Sequence, residues 1–454
     1  MRYVLFPLLT LSLLLGTCTT VRAQTGGVWE SPFGTTLNDV VRAFAFAENG
    51  DLYVAGDFTE AGGQVVNHVA RWDGTSWEAL GSGVNDYVHA IAIVGGYVYV
   101  GGRFVRAGNA PSPYIARWNG SEWEAVGGGL ADWVEALVVR GDDLFVGGRF
   151  GGGVTRWDGA NWHALGGGLD AINRERYHVY SLAADSDFVY AGGTFRSAEG
   201  RDARGIARWD GETWSSLGTS ISGGAFAIAI DARQHLIAAG QFSEAGGQAA
   251  ANVARWDGES WSPMGDGLVL YVSALAIAAG ELFAGGTHLL GSEETGYQDI
   301  AHWTGLTWEP LGAGLGEMFV GVYGLGAQGG RLYVGGSFSE AGGLPAANAA
   351  VWNTGLTSTT ERSALFQEGA AKLSIYPNPV KGVATITIAM AQSGPVRLAV
   401  YDVLGREVGI LVDRVFPAGT HPLSWLPGDL PSGVYYLRLT TDTGAQTRTA
   451  TLIQ

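Results

Sequence analysis

The sequence has a single cysteine, Cys18, and only two lysines, Lys372 and Lys381, among 454 residues. One thiol makes no intrachain disulfide, so the fold must be held by its core. Positive charge is scarce: Lys and Arg total 27 against 43 Asp and Glu, a formal net charge of −16. That balance excludes nucleic acid as a partner, because phosphate binding needs clustered cations. The chemistry-bearing motifs are also missing. There is no HExxH, no G-x-S-x-G elbow and no Asp-rich EF-hand loop. The histidines at 68, 89, 163, 178, 235, 288, 302 and 421 have no metal-ligand spacing. No catalytic residue, metal or cofactor is expected on these grounds. Apart from Val4 to Gly16 no apolar run is long, and that one is short for a membrane span.

Residues 1 to 23 read as a secretory signal, with Arg2 as the charged start and Val21-Arg22-Ala23 as a small-residue cleavage site. Cleavage there removes Cys18, Arg2 and Arg22, moving the charge from −16 to −18 and leaving no membrane-spanning segment in the mature chain. A lipoprotein reading would use Cys18, but Thr17 is a poor residue before a lipid-bearing cysteine.

What is abundant is glycine, at 72, and tryptophan, at 16, within an apolar fraction of 46%. They recur in order. Val69 to Phe104, VARWDGTSWEALGSGVNDYVHAIAIVGGYVYVGGRF, holds four short β-like runs around the turn signals Asp73-Gly74 and Gly95-Gly96. The leading Trp returns at 72, 118, 157, 209, 256, 303 and 352, and Gly-x-Phe at Phe58, Phe104, Phe150, Phe195, Phe242 and Phe338, with His288 the exception. Both counts are seven, at intervals of 39 to 52 residues. A four-strand unit with this period is a propeller blade. The seventh copy lacks its last strand, and an orphan Val28-Trp29-Glu30 precedes the first copy. The pair predicts a ring fastened by the two chain ends, which leaves no open edge.

The Gly pairs 101-102, 147-148, 192-193, 285-286 and 335-336, each followed downstream by a Trp, resemble the kelch family over residues 28 to 355. Copies one and five depart from it, reading Ala55-Gly56 and Ala239-Gly240. The resemblance implies a propeller and is nearly silent on function. The copper chemistry of some kelch-like oxidases needs a cysteine-linked tyrosine, which the mature chain cannot supply.

Residues 356 to 371 break the repeat and read as a linker. From Lys372 the text changes, with alternation and turns that predict a small antiparallel sandwich. Tyr376-Pro377-Asn378-Pro379, then Tyr401-Asp402-x-Leu404-Gly405-Arg406, then Ser432-Gly433-Val434-Tyr435-Tyr436 resemble the carboxy-terminal sorting domain of type IX secretion cargo in Bacteroidota and relatives. That resemblance implies the type IX machinery as a partner and a destination outside the cell or on the outer surface of the outer membrane. In the family the domain is commonly cleaved.

The expected organisation is all-β: signal 1–23, a seven-bladed propeller 24–355 closed by an N-terminal strand, linker 356–371, and an immunoglobulin- or fibronectin-like sandwich 372–454. The long-loop face of the propeller is the place for a ligand. Aromatics enter the inner strands there, at Tyr87, Trp133, Tyr177 with His178, Tyr271, and Phe319 near Tyr323. They can stack on sugar rings, or simply cap the blade cores. Symmetry breaks at Gly151 to Gly153, Asp170 to Arg176 and Leu289 to Gln298. The leading expectation is an exported binding protein for a glycan, another extracellular polymer or a protein. The rivals are a polysaccharide-cleaving hydrolase or lyase, using acids such as Glu135 and Glu293, and a structural envelope protein without a ligand. The recurring Glu60-Ala61-Gly62-Gly63 is expected to be a structural turn.

Overall fold

The computed structural model describes residues 27–170, 178–269, 271–292, 296–316, 321–355, 372–376, 380–390, 393–402, 406–417, 419–428, 430–442 and 444–452. The signal stretch with Cys18, the linker, Tyr177, Phe319, Glu293, Pro377 to Pro379, Leu404 and Gly405 lie outside the described residues. The chain divides into two compact units, Met1–Gly355 and Leu356–Gln454. The regular structure of the described residues is all β, and none of their helices is long and apolar enough to cross a membrane.

Among the described residues the first unit, a β-propeller, holds seven four-stranded sheets. Sheet one is Val41–Phe46, Leu52–Gly56, Val69–Trp72 and Trp77–Ala79, paired antiparallel in that order. Sheets two to seven have the inner strands Val88–Val94, Val134–Arg140, Val179–Ala184, Gly224–Ile230, Tyr271–Ala278 and Gly321–Gln328. Each inner strand packs against the next, and Gly321–Gln328 packs against Val41–Phe46. Sheet seven takes its fourth strand from the other end of the chain: Val28–Glu30 pairs with Ala349–Asn353, Trp29 opposite Trp352.

The repeated residues explain the packing. In every sheet the two tryptophans of the outer pair meet with ring centroids 5.0–5.6 Å apart. In sheets two to five the second indole N–H then reaches a carbonyl of the preceding sheet's outer edge: Trp123 to Leu80 at 2.7 Å, Trp162 to Val126 at 3.3 Å, Trp214 to Leu165 at 3.1 Å, Trp261 to Leu217 at 2.9 Å. In sheet one Trp77 donates to the Thr36 hydroxyl at 3.0 Å, and in sheet six the Trp308 N–H has no partner among the described residues. Trp29 makes the same bond to Leu311 at 3.3 Å. A buried indole N–H usually keeps a partner, and in sheets two to five and seven this seam provides one for the second tryptophan. The Asp-Gly turns are held locally. The Asp73 carboxylate accepts from the backbone N–H groups of Thr75 and Ser76 at 2.7 and 2.8 Å. These bonds pull its pKa well below the usual carboxylate range.

The Gly pairs have two separate jobs. A Cβ on the first, as at Gly101, Gly285 or Gly335, would enter the space of a valine on the neighbouring inner strand, Val134, Val322 or Val41. A Cβ on the second would strike a backbone oxygen at the start of the inner strand in all seven sheets, as at Gly56 against Val40 and Gly102 against Tyr87. Copies one and five keep this second glycine and replace only the first.

The Glu60-Ala61-Gly62-Gly63 text forms a two-stranded ribbon, Glu60–Ala61 with Gln64–Val65. Gly62 and Gly63 sit at φ 59° and 78°, and Gly62 lies against Trp77. Sheet six differs from the loop expected at Leu289 to Gln298: strands Glu281–Ser292 and Gly296–Trp303 run on through it as an extended hairpin.

The second unit has two antiparallel sheets. One is Lys372–Tyr376, Ala384–Met390 and Gly419–Trp425; the other is Glu407–Phe416, Gly394–Tyr401, Gly433–Thr441 and Gly444–Leu452. Ile386, Ile388 and Trp425 of the first share one core with Leu398, Leu437 and Leu439 of the second.

Candidate functional site

Every inner strand begins with a register shift that displaces one residue from the ladder: Arg42, His89, Glu135, Tyr180, Phe226, Ser273 and Tyr323 in sheets one to seven. A bulge re-aims the side chain it carries. The second glycine permits it, because the opposing backbone closes onto a residue without a Cβ. The seven neighbours stand in V-x-A-like text that is otherwise nearly constant: VRAFAF, VHAIAI, VEALVV, VYSLAA, AFAIAI, VSALAI, VYGLGA. They form a mouth where the links enter the inner strands. The middle residue of each Gly-x-Phe lies beside it. The backbone N–H of Asp57, Arg103, Arg149 and Thr194 donates to the carbonyls of Val40, Tyr87, Trp133 and His178 at 2.8–2.9 Å.

Charge gathers on sheets one to three. Arg42 makes two bonds of 2.6 Å to Asp57, and its guanidinium lies 5.1 Å from the Tyr323 ring centroid. Burial works against the Arg42 charge, but Asp57 outweighs it and raises the pKa. Glu135, its side chain 10% exposed, has both oxygens engaged: Oε2 by His89 Nδ1 at 2.6 Å and Oε1 by Arg149 Nε at 2.7 Å. Burial opposes its ionisation, yet His89 and Arg149 together hold its carboxyl below the ordinary value. Arg103 lies 4.0 Å over Trp133 and 5.8 Å over Tyr87. Three guanidinium groups therefore face two carboxylates.

Sheets four to six are aromatic and neutral. Tyr180 meets Phe226 edge-on at 5.2 Å, and Phe226 stacks on Tyr271 at 4.8 Å with 27° between the planes. His178 Nδ1 lies 2.7 Å from the Tyr180 hydroxyl. Burial raises the pKa of both Tyr180 and Tyr271. Ser273 donates to the Val322 carbonyl of the next sheet.

The aromatic residues expected from the sequence fall into two groups. Tyr87, Tyr271 and Tyr323 are 37%, 41% and 41% exposed. Trp133 is half-buried, and two guanidinium groups lie over it, Arg103 and Arg149, the latter at 4.2 Å. Its π surface is occupied by cations. His178 is held by Tyr180. Sequence reasoning missed Arg42, His89, Arg103, Arg149, Tyr180 and Phe226. Aligning the copies and reading down the second position of each inner strand and the middle position of each Gly-x-Phe exposes them, because those two columns change in charge and polarity while their neighbours stay small or apolar. A further residue, His68, is buried beside Tyr87, ring centroids 5.9 Å apart, at the left-handed φ of 74°. Sheets three, four, five and seven fill this position with Gly or Asn, at Gly153, Gly205, Asn252 and Asn348, and sheet two fills it with Tyr114. Burial lowers its pKa.

In the second unit the described residues of the second and third motifs lie on adjacent strands. Val380, which follows Pro379, donates its N–H to Thr451 at 2.7 Å and bridges to Leu452, the partner of Gly433. Tyr401 pairs with Tyr436, two residues beyond Val434. Asp402 Oδ2 holds Arg406 Nε at 2.7 Å, and the Tyr435 hydroxyl donates to Pro431 at 2.9 Å.

Residues 374–453 match the secretion-system C-terminal sorting domain family, and residues 48–72 match a β-propeller domain of unknown function. No curated protein sequence matches the chain. Among solved structures, the computationally designed Ika8 protein is 14% identical, with 92% of this chain and 99% of that one covered at a TM-score of 0.44. PorZ, a surface component of the type IX secretion system of Porphyromonas gingivalis, is 15% identical, with 90% and 59% covered at 0.44. An acylaminoacyl peptidase from Pyrococcus horikoshii is 12% identical, with 80% and 59% covered at 0.40. The sorting tail implies handling by the type IX machinery and export to the cell surface or beyond.

Proposed function

We propose that this is an exported binding protein whose kelch-like, seven-bladed ring, fastened where Trp29 meets Trp352, presents the inner-strand mouth to an extracellular glycan or related polymer. The ring reading is supported by the seam: Trp29 bonds Leu311 as Trp123, Trp214 and Trp261 bond their preceding sheets. The binding reading is carried by one observation. The same bulge recurs in seven sheets and carries six residue types. A position that served only packing would repeat like the tryptophans do. Exposed Tyr271 and Tyr323 offer ring faces suited to sugars.

The state of Glu135 favours binding over glycoside hydrolysis. A general acid needs a raised pKa, whereas Glu135 is held ionised by two bonded partners. A featureless face, expected for a structural protein without a ligand, does not describe a mouth with charged and aromatic sides. The test is a glycan array probed with the full chain and with Tyr271→Ala. Binding that weakens about two- to tenfold in the variant supports the reading. Silence across the array, or binding indifferent to both Tyr271 and Tyr323, contradicts it. For export, deletion of residues 372–454 is expected to leave the protein in the periplasm; normal release of the truncated chain would refute the sorting role.

A further inference from the structure

Arg103 stands apart from the other mouth guanidinium groups. Arg42 has Asp57 and Arg149 has Glu135. Arg103, half-buried, has no carboxylate within bonding distance among the described residues, and its Nε is buried without a hydrogen-bond acceptor. Its guanidinium lies over Trp133 at 4.0 Å and near Tyr87 at 5.8 Å. Cation–π contact holds the group in place but leaves its in-plane donors unused. A buried donor without an acceptor is costly in a finished structure, so a ligand or solvent must complete it. The planar fork of an arginine fits the two oxygens of a carboxylate or sulfate.

We infer that the mouth takes an acidic glycan, whose carboxylate or sulfate is received by Arg103 while a neighbouring ring lies on the exposed Tyr271 of the neutral side. This rests on the glycan-binding reading above and narrows it. The chain's charge of −16 does not forbid it. Charges beyond the mouth are screened over about 8 Å at physiological salt, so the contact cation decides the local preference. Tyr87, next to Arg103 and 37% exposed, leaves that cation open on the solvent side.

The probes are oligogalacturonate, oligo-alginate and sulfated dextran, each beside a neutral counterpart: the methyl esters and unsulfated dextran. They are titrated calorimetrically against the full chain, Arg103→Gln and Arg103→Lys. At least one acidic member is expected to bind ten- to a hundredfold more tightly than its neutral counterpart, the range of a charge-assisted bond. Arg103→Gln should erase the acid preference, so that acidic and neutral members bind that variant alike, and Arg103→Lys should restore part of it. Preference among the uronates or the sulfated dextran identifies the anion. Equal binding of acid and neutral forms, or an acid preference that survives Arg103→Gln, overturns the inference while the glycan reading stands. Loss of acidic and neutral binding together in Arg103→Gln gives the residue a structural role and also overturns it. Absence of binding by every saccharide overturns both.

Discussion

At the outer edge of each sheet two tryptophans meet at 5.0–5.6 Å. At the inner edge the same seven sheets present one bulged position each, filled by Arg, His, Glu, Tyr, Phe, Ser and Tyr in turn. Both regions arise from one repeated text. The outer seam repeats because each pair of indoles must fill the same space between neighbouring sheets. The mouth varies because the bulge is made by backbone and glycine, which leaves the side chain free of the packing. Constancy and variation within one chain thus separate what holds the molecule from what it can recognise.

The seam should break first. Trp352→Ala removes a 2% exposed indole that pairs with Trp29; about 3–5 kcal/mol of stability should be lost in denaturant unfolding. A loss under 1 kcal/mol would mean that the two chain ends do not fasten the unit. Gly101→Ala tests the interlock one layer inward. Its Cβ would enter the space of Val134, and overpacking of this kind costs roughly 1–3 kcal/mol. The fact that copies one and five carry alanine here, at Ala55 and Ala239, sharpens the comparison: reverting either to glycine should not destabilise by more than about 1 kcal/mol.

At the mouth the effects should be smaller and dependent on pH. Glu135→Gln is expected to cost about 1–3 kcal/mol at pH 7, since Arg149 and His89 lose a charged partner. The folded Glu135 carboxyl titrates below its ordinary value, so its contribution is full above the unfolded value of about 4.3 and fades as pH falls through the lower folded one. The stability gap between wild type and variant should therefore close on acidification below about pH 4. A gap that widens there would contradict the ion-pair assignment. Arg103→Gln should cost about 0.5–1 kcal/mol, the range of a partly exposed cation–π contact.

Much of this was legible in the sequence. The Trp spacing gives the strand order, and the orphan Val28-Trp29-Glu30 is the outer strand of the sheet that holds Trp352. The Glu60-Ala61-Gly62-Gly63 ribbon is a turn against Trp77, as its recurrence implies. The mouth was only partly legible. Link aromatics such as Tyr87 and Tyr271 stand out by size, but Arg42 and Glu135 look like ordinary polar positions in a strand. Strict alternation would not distinguish them, because a bulge shifts the period by one residue. Nor could spacing show that His89 would reach Glu135 and Arg103 would reach Trp133; those contacts depend on which sheets lie side by side.

The separation of the two regions is tested most directly by the ligand-induced rise in melting temperature, read on wild type, Trp214→Ala and Arg103→Gln with an acidic glycan at about a hundredfold its dissociation constant, where binding stabilises by about 2.7 kcal/mol. Trp214→Ala should melt earlier and keep the rise. Arg103→Gln should melt within a few degrees of wild type without ligand, well above Trp214→Ala, and lose most of the rise. If Arg103→Gln keeps the full rise, or melts early with it, the mouth is not where the molecule recognises its ligand.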